Sequence, residues 1–485
     1  MRKISISPIT RLEGHGKIEI FLNDAGDVSR AYLQVPEMRG FEKFCEGRPA
    51  EEMARITPRI CGVCPSAHHL ASAKALDDLY DVEPTLTAKL IRELLYSAFM
   101  FEDHILHFFF LGGPDFIVGP QADKSARNIL GVIDKVGLEA GKKVIDIRKK
   151  CRNIISTLGG KVIHPVCGIP GGVSKKVTPE MQEEFKQTAK EAVEFGRFAL
   201  SAFDDIVLKN PAYLELVTGD TYRHETYYMG LVDENKKVNF YDGTIRVVTP
   251  TGEEFANFAA RDYAKHIAEH TEPWTYPKFP YLRNVGWNGF KDGADSGIYS
   301  VSPLARLNAS AGMATPLAQA EHDRLFDTVG GKPCGLTLVY HWARLVEALY
   351  AAERLLELAE HRELTSPDIR NRNLNLKKEG WGVVEAPRGT LFHHYESDDE
   401  GLITGANLIV ATQNNMGRIN LSVDKAARML IKNGEVNDGL LNMVEMAFRA
   451  YDPCMACATH ALPGPLPLEV NIYDSNRNLQ RSLRQ

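Results

Sequence analysis

Apolar and polar positions alternate at the start of the chain. Residues 3–35 read as strands, because KIEIFL and RAYLQV alternate around the turn-rich connector NDAGDV, and a β hairpin is predicted there. From about Glu51 the period becomes helical. SAHHLASAKALDDL forms one helix, and PTLTAKLIRELLYSAFMFEDHILHFFFL forms a longer one that ends at Gly112-Gly113-Pro114. The second is apolar nearly all round, so it belongs deep in a core. A further helix starts with Thr178 as N-cap and Pro179 at its first position, and runs to about Val207. Residues 336–362, 422–432 and 436–450 are also helical by pattern, and VNFYDGTIRVVTP (238–250) reads as a second hairpin around Asp242-Gly243. Residues 363–405 look irregular apart from one strand-like piece near GWGVVEAPRG, and NLIVATQNN reads as a strand leading into a loop.

No repeat, low-complexity tract or linker divides these 485 residues. The pattern therefore predicts one large, mainly α domain with small antiparallel β elements (α+β), built around a bundle of long helices. Hydrophobic residues at 44% and charged residues at 25% are ordinary for a globular protein. A net charge of −6 gives no field that would attract a polyanion, so nucleic acid is excluded as a main partner. No apolar stretch reaches the ~20 uninterrupted residues of a bilayer span, and the N-terminus lacks a secretory or twin-arginine leader. The expectation is a cytoplasmic protein without direct membrane insertion, in which cysteines stay reduced.

Cysteine usage changes the picture. RICGVC (59–64) and DPCMAC (452–457) each hold two cysteines separated by two residues, while Cys45, Cys151, Cys167 and Cys334 are scattered and read as buried small hydrophobes. Two such pairs are four soft metal ligands. By base rate the first reading is a structural tetrathiolate zinc, followed by an iron–sulfur cluster and then by another soft-ligand transition metal. A zinc knuckle closes a small module, whereas about 390 residues separate these pairs. Nearby Arg59, His68, His69, Asp452 and His460 supply more titratable groups than a closed zinc site requires.

RICGVCPSAHHLAS and DPCMACATH resemble the two metal-binding signatures of nickel–iron hydrogenase large subunits. The resemblance continues, in the family's order, through PITRLEGHGKIEI (8–20), MRGFEKF (38–44), HILHFFFLGGPDF (104–116), HPVCGIPGGVSK (164–175), EAPRGTL (385–391) and NLIVATQNN (407–415). It implies a nickel–iron centre whose iron carries carbon monoxide and cyanide. Cys61 and Cys454 match terminal nickel ligands, and Cys64 and Cys457 match bridges. Glu13 resembles the family's proton-accepting glutamate. Arg388 resembles the guanidinium over the open metal position, with Asp115 and Asp452 matching the carboxylates that fix it. Thr412 matches a hydroxyl that hydrogen-bonds cyanide, and His68 a donor to the bridging sulfur. His69 reads as packing, and His104 and His107 as structural hydrogen-bonding residues. A second site for magnesium or iron is implied at Glu42, the Leu408 carbonyl and His460. In most members a protease cuts after the histidine matched by His460, so residues 1–460 would be the mature domain and 461–485 a maturation peptide.

The wording of these motifs is closer to the cytoplasmic multi-subunit branch. Periplasmic uptake enzymes usually read PTTWN where this chain has Ala411-Thr412-Gln413-Asn414. The chain has no Gly-x-Gly-x-x-Gly fingerprint and too few spare cysteines for further clusters. Iron–sulfur clusters and flavin are thus expected on partners: the iron–sulfur small subunit, together with further electron-transfer subunits. A maturation protease and nickel-insertion factors are expected as transient partners. The implied activity is reversible cleavage of dihydrogen into protons and electrons, with NAD(P) or ferredoxin as soluble acceptors. The alternatives are a non-turnover sensor, a zinc scaffold, a heterodisulfide-linked or deazaflavin-reducing hydrogenase component, and the nickel-free quinone-reducing relative in respiratory complex I, which lacks the full cysteine set.

Overall fold

The computed structural model describes residues 2–7, 9–38, 40–459, 469–473 and 479–484. About 49% of it is helix and 18% strand, the strands lying in small sheets that are almost entirely antiparallel. Four long helices form the bundle: Leu86–Leu106, Leu138–Gly159, Pro179–Phe203 and Tyr340–Glu360. Tyr340–Glu360 packs against both Pro179–Phe203 and Leu86–Leu106. The apolar run Leu86–Ile117 has the length and composition of a membrane span, but 83% of its apolar window is buried by the rest of the protein. Its hydrophobicity is used by the core. The Thr178 side chain accepts from the Met181 N–H, as the N-cap expectation requires.

The N-terminal hairpin is Lys17–Leu22 with Val28–Gln34, and a third strand, Arg2–Ile6, pairs on its other edge. The second predicted hairpin is corrected. The Asp242-Gly243 turn does not join strands on either side of it; Thr244–Val248 pairs instead with Tyr227–Val232, and the intervening stretch is a long loop between these adjacent strands that holds an isolated Val232–Val238 bridge.

A larger correction concerns residues 363–405. They contain two long strands, Glu379–Ala386 and Gly389–Ser397, which pair antiparallel and continue to Ile403–Ile409. Gly380-Trp381-Gly382 lowers the strand propensity of the first, and packing overrides it. Helix Pro65–Leu79 lies directly on this strand. A Cβ on Gly382 would sit 2.1 Å from the Ala71 carbonyl oxygen, and one on Gly380 2.3 Å from that of Ala75. The two glycines give up intrinsic propensity to let the helix that follows RICGVC touch the sheet backbone.

Beyond the second cysteine pair, Glu469–Tyr473 and Leu479–Arg484 pair as an antiparallel hairpin. Replacing Gly382 with alanine is expected to cost about 1–3 kcal/mol by overpacking this contact between helix and sheet. The measurement is a lowered thermal midpoint, together with reduced retention of the metal expected at Cys64, the N-cap of the displaced helix.

Candidate metal centre

The four motif cysteines converge. Cys61 ends a short 3₁₀ turn, Thr57–Ile60, and Cys64 is the N-cap of Pro65–Leu79. Cys454 is the N-cap of the one-turn helix Met455–Ala458, which carries Cys457. All four are buried and unbridged, and their sulfurs lie within 4.8 Å of one another. Cys61 and Cys454 are 3.3 Å apart, as are Cys64 and Cys457, while Cys454 and Cys457 are 2.9 Å apart. The Val63 and Cys64 N–H groups both donate to the Cys61 sulfur at 3.2 Å.

This geometry constrains charge. Burial works against the Cys61 thiolate, yet sulfur hydrogen bonds from its neighbours and the positive charge of Arg388 hold its pKa well below the ordinary thiol value. Burial and the neighbouring sulfurs push Cys454 and Cys457 well above it. The quartet by itself therefore favours one anion. Ionising all four requires a bound cation of high charge, and soft sulfur donors select a thiophilic transition metal. The scattered cysteines differ: each is buried alone, and burial pushes Cys45 up to about 12 and Cys167 and Cys334 up to about 11.

The N-terminal segment meets the second motif through the backbone. Glu13 and Cys454 form an isolated parallel bridge, and the Met455 N–H donates to the Glu13 carbonyl at 3.0 Å. Gly14, at φ +82°, would bring a Cβ to 2.9 Å from that of Met455, so the approach needs a residue with no side chain. Glu13 Oε2 then accepts from the Cys454 thiol and from the Ala456 N–H, each at 3.0 Å. Burial raises the Glu13 pKa, and the Cys61 charge raises it further.

Arg388 occupies the tip of the tight turn between Glu379–Ala386 and Gly389–Ser397, where Ala386 pairs with Gly389. It is 2% exposed. Its Nε donates to the Asp452 carbonyl at 2.6 Å, Nη2 lies 2.9 Å from Asp452 Oδ2, and Nη1 lies 3.3 Å from Asp103 Oδ2. Burial pushes the Asp103 carboxyl up to about 7 against the pull of Arg388. Neither ion-pair contact is aligned as a hydrogen bond: Nη1, Asp452 Oδ2 and both Asp103 oxygens are buried without one. A cluster of under-satisfied polar atoms beside four thiols suits a polar ligand held between them.

Asp115 is therefore corrected. It does not hold Arg388; it pairs with Arg11 at 2.5 Å and Arg449 at 2.6 Å. The cause lies in the helix. Leu86–Leu106 carries Asp103 toward Arg388, and then a π-helical segment, His107–Gly112, and the break at Pro114 redirect the chain. Asp115 instead ties Arg11, two residues before Glu13, to Arg449, three before Asp452. Asp103 escaped the sequence reading; its signal was an ionisable residue, flanked by Glu102 and His104, directly after the uncharged run Leu94–Phe101 of the helix.

The remaining predicted residues are accounted for in turn. The Thr412 hydroxyl oxygen accepts from the Cys454 N–H at 3.0 Å. His68 Nε2 lies 3.5 Å from Cys457 Sγ. Glu42 Oε1 accepts from the Leu408 N–H at 2.7 Å, so these two meet, while His460 lies outside the described residues. His69 is satisfied between the Ala54 carbonyl and the Gly168 N–H. His104 bonds Glu347, and His107 the Arg449 carbonyl.

Known proteins with these features agree. Residues 39–129 and 295–460 match the family model described as nickel-dependent hydrogenase. The chain belongs to this family. Residues 3–38 match a second model, HoxL-like. An F420-non-reducing hydrogenase iron-sulfur subunit from Archaeoglobus profundus is 50% identical over the full length of both chains. The NAD-reducing hydrogenase HoxS subunit beta of Cupriavidus necator is 37% identical over 98% of each. The crystal structure of an NAD+-reducing [NiFe]-hydrogenase in the H2-reduced state superposes with a TM-score of 0.88 at 36% identity, covering 95% of this chain and all of that one. The protein is thus a large subunit of the nickel–iron hydrogenase type, an oxidoreductase acting on dihydrogen.

The two carboxylates have separable effects. Asp115→Ala removes the carboxylate that joins Arg11 to Arg449, leaving Arg449 only its pair with Glu445, and is expected to cost about 3 kcal/mol, read as a lower thermal midpoint. Asp103→Asn is expected to leave that midpoint nearly unchanged while lowering hydrogen turnover.

Proposed function

We propose that these four cysteines would hold a nickel–iron centre, Cys61 and Cys454 as ligands to nickel and Cys64 and Cys457 as ligands shared with an iron that would carry carbon monoxide and cyanide. The convergence of four buried sulfurs from both ends of the chain carries this reading. When bound, that centre supplies the heterolytic cleavage of dihydrogen, and the protein's task is to move the proton and exclude water. Glu13 takes the proton from the Cys454 sulfur, to which it is hydrogen-bonded at 3.0 Å. Its raised pKa makes it a better acceptor than an ordinary surface carboxylate. Glu13 is half-buried and followed by exposed Gly14 and His15, so the proton leaves a dry core by a short route. Arg388, braced by Asp103 and Asp452, presents a fixed cation beside the sulfurs and polarises what binds there. The Thr412 hydroxyl, its oxygen already accepting from Cys454, is left to donate to a cyanide.

The wider reading follows the named relatives. Electrons pass to the iron–sulfur small subunit, then through flavin or iron–sulfur subunits to a soluble acceptor in the cytoplasm. A relative named for NAD reduction supports NAD(P) among the candidate acceptors, and one named for not reducing F420 counts against a deazaflavin; ferredoxin and a heterodisulfide stand as the other acceptors of this reading. Glu42, the Leu408 carbonyl and His460 hold a second, harder ion, magnesium or iron. Residues 461–485 are removed by a maturation protease after nickel-insertion factors have acted.

Glu13→Gln tests the proton step. The amide keeps the shape but cannot relay a proton at neutral pH. The variant is expected to retain nickel and iron and to lose about 10²-fold or more in hydrogen–deuterium exchange. Exchange at the wild-type rate in a metal-replete variant would remove Glu13 from the path.

A further inference from the structure

A second hydrogen-bonded chain, separate from Arg388's ion pairs, leads to the sulfurs. His68 Nε2 faces Cys457 Sγ, and its Nδ1 lies 3.2 Å from His393 Nε2, with the two rings tilted by 47°. His393 Nδ1 is 2.7 Å from the Tyr395 hydroxyl, which is 2.8 Å from that of Ser72. All four of these residues are at most 1% exposed. Two periodicities build the chain. His68 and Ser72 stand four apart on helix Pro65–Leu79, and His393 and Tyr395 stand two apart on strand Gly389–Ser397. Each pair shares one face, and the two faces meet.

We propose that His393 and Tyr395 are positioning residues that fix the tautomer of His68, so that its Nε2–H is aimed at the Cys457 sulfur. This rests on the reading of Cys457 as a metal-bound thiolate. A thiolate offers only lone pairs, so the facing nitrogen, Nε2, must carry the proton. Neutral His68 then accepts at Nδ1, and the donor there is His393 Nε2–H. His393 in turn accepts at Nδ1 from the Tyr395 O–H. Tyr395 carries one proton and has two acceptors in reach, Ser72 Oγ at 2.8 Å and His393 Nδ1 at 2.7 Å, and that proton goes to the imidazole nitrogen, the stronger base. From Tyr395 inward every N–H and O–H then points toward the sulfur. A single inverted link would turn a lone pair of His68 toward the thiolate. The donor bond draws charge from the sulfur and thereby tunes the bound metal without a change in ligand.

Three variants test this on the metal-loaded full chain: His393→Leu, His393→Gln and Tyr395→Phe. Metal analysis comes first, because a wild-type chain that holds no nickel defeats the metal reading and not this inference. In nickel-replete protein, His393→Leu is expected to shift the nickel electron paramagnetic resonance signal and to lower kcat about tenfold or more with little change in KM. His393→Gln, whose amide N–H can still donate to His68 Nδ1, is expected to restore the signal and most of kcat. A packing role predicts the opposite order, since an amide is worse than leucine in a dry site; equal loss in both variants, or a wild-type signal in His393→Leu, overturns the proposal. If His393→Leu does not retain nickel, Tyr395→Phe decides. It removes one oxygen, and a signal unshifted from wild type in that variant also overturns it.

Discussion

Four thiols packed within 4.8 Å in a dry core cannot all ionise without a cation among them. The surrounding structure is arranged around that electrostatic constraint. Backbone N–H groups support one sulfur, a buried guanidinium supplies positive charge, and a carboxylate of raised pKa is hydrogen-bonded to one of the thiols. The same closeness that forbids four free thiolates suits the site to a soft metal.

Holding those groups depends on contacts between distant parts of the chain. Glu13 is fixed by strand-like pairing with Cys454, and Gly14 lets the two backbones touch. The Arg11–Asp115–Arg449 ion cluster pins the same two segments from the side. Arg388 owes its place to a two-residue turn, and its strand is brought against the RICGVC helix by Gly380 and Gly382. Asp452, immediately before the second pair, adopts a left-handed backbone at φ 57°, an uncommon conformation for a residue with a side chain. It uses that conformation to offer Arg388 both its carbonyl and its carboxylate.

Much of this was legible in the sequence where the signal was local or carried by motifs. The long apolar helices, the Thr178 cap and the union of the two cysteine pairs could all be read from spacing, pattern and resemblance. The sheet of residues 379–409 was legible only in part: the strand near GWGVVEAPRG and the one in NLIVATQNN could be read, but Gly389–Ser397 between them could not, because His393-His394 interrupts its apolar run. The choice between Asp103 and Asp115 was lost for another reason. Both are carboxylates near the end of one helix, and only the π-helical segment between them decides which reaches Arg388. His393 was invisible because its role depends on a strand register and a helix face meeting across about 325 residues of sequence.

The most direct test is nickel K-edge X-ray absorption on the purified, metal-loaded chain and on its Cys454→Ser variant. The account predicts a sulfur-dominated nickel shell in the wild type, which loses sulfur or loses nickel altogether when the C-terminal cysteine is replaced. A shell of nitrogen and oxygen, or a sulfur shell untouched by that substitution, would contradict it.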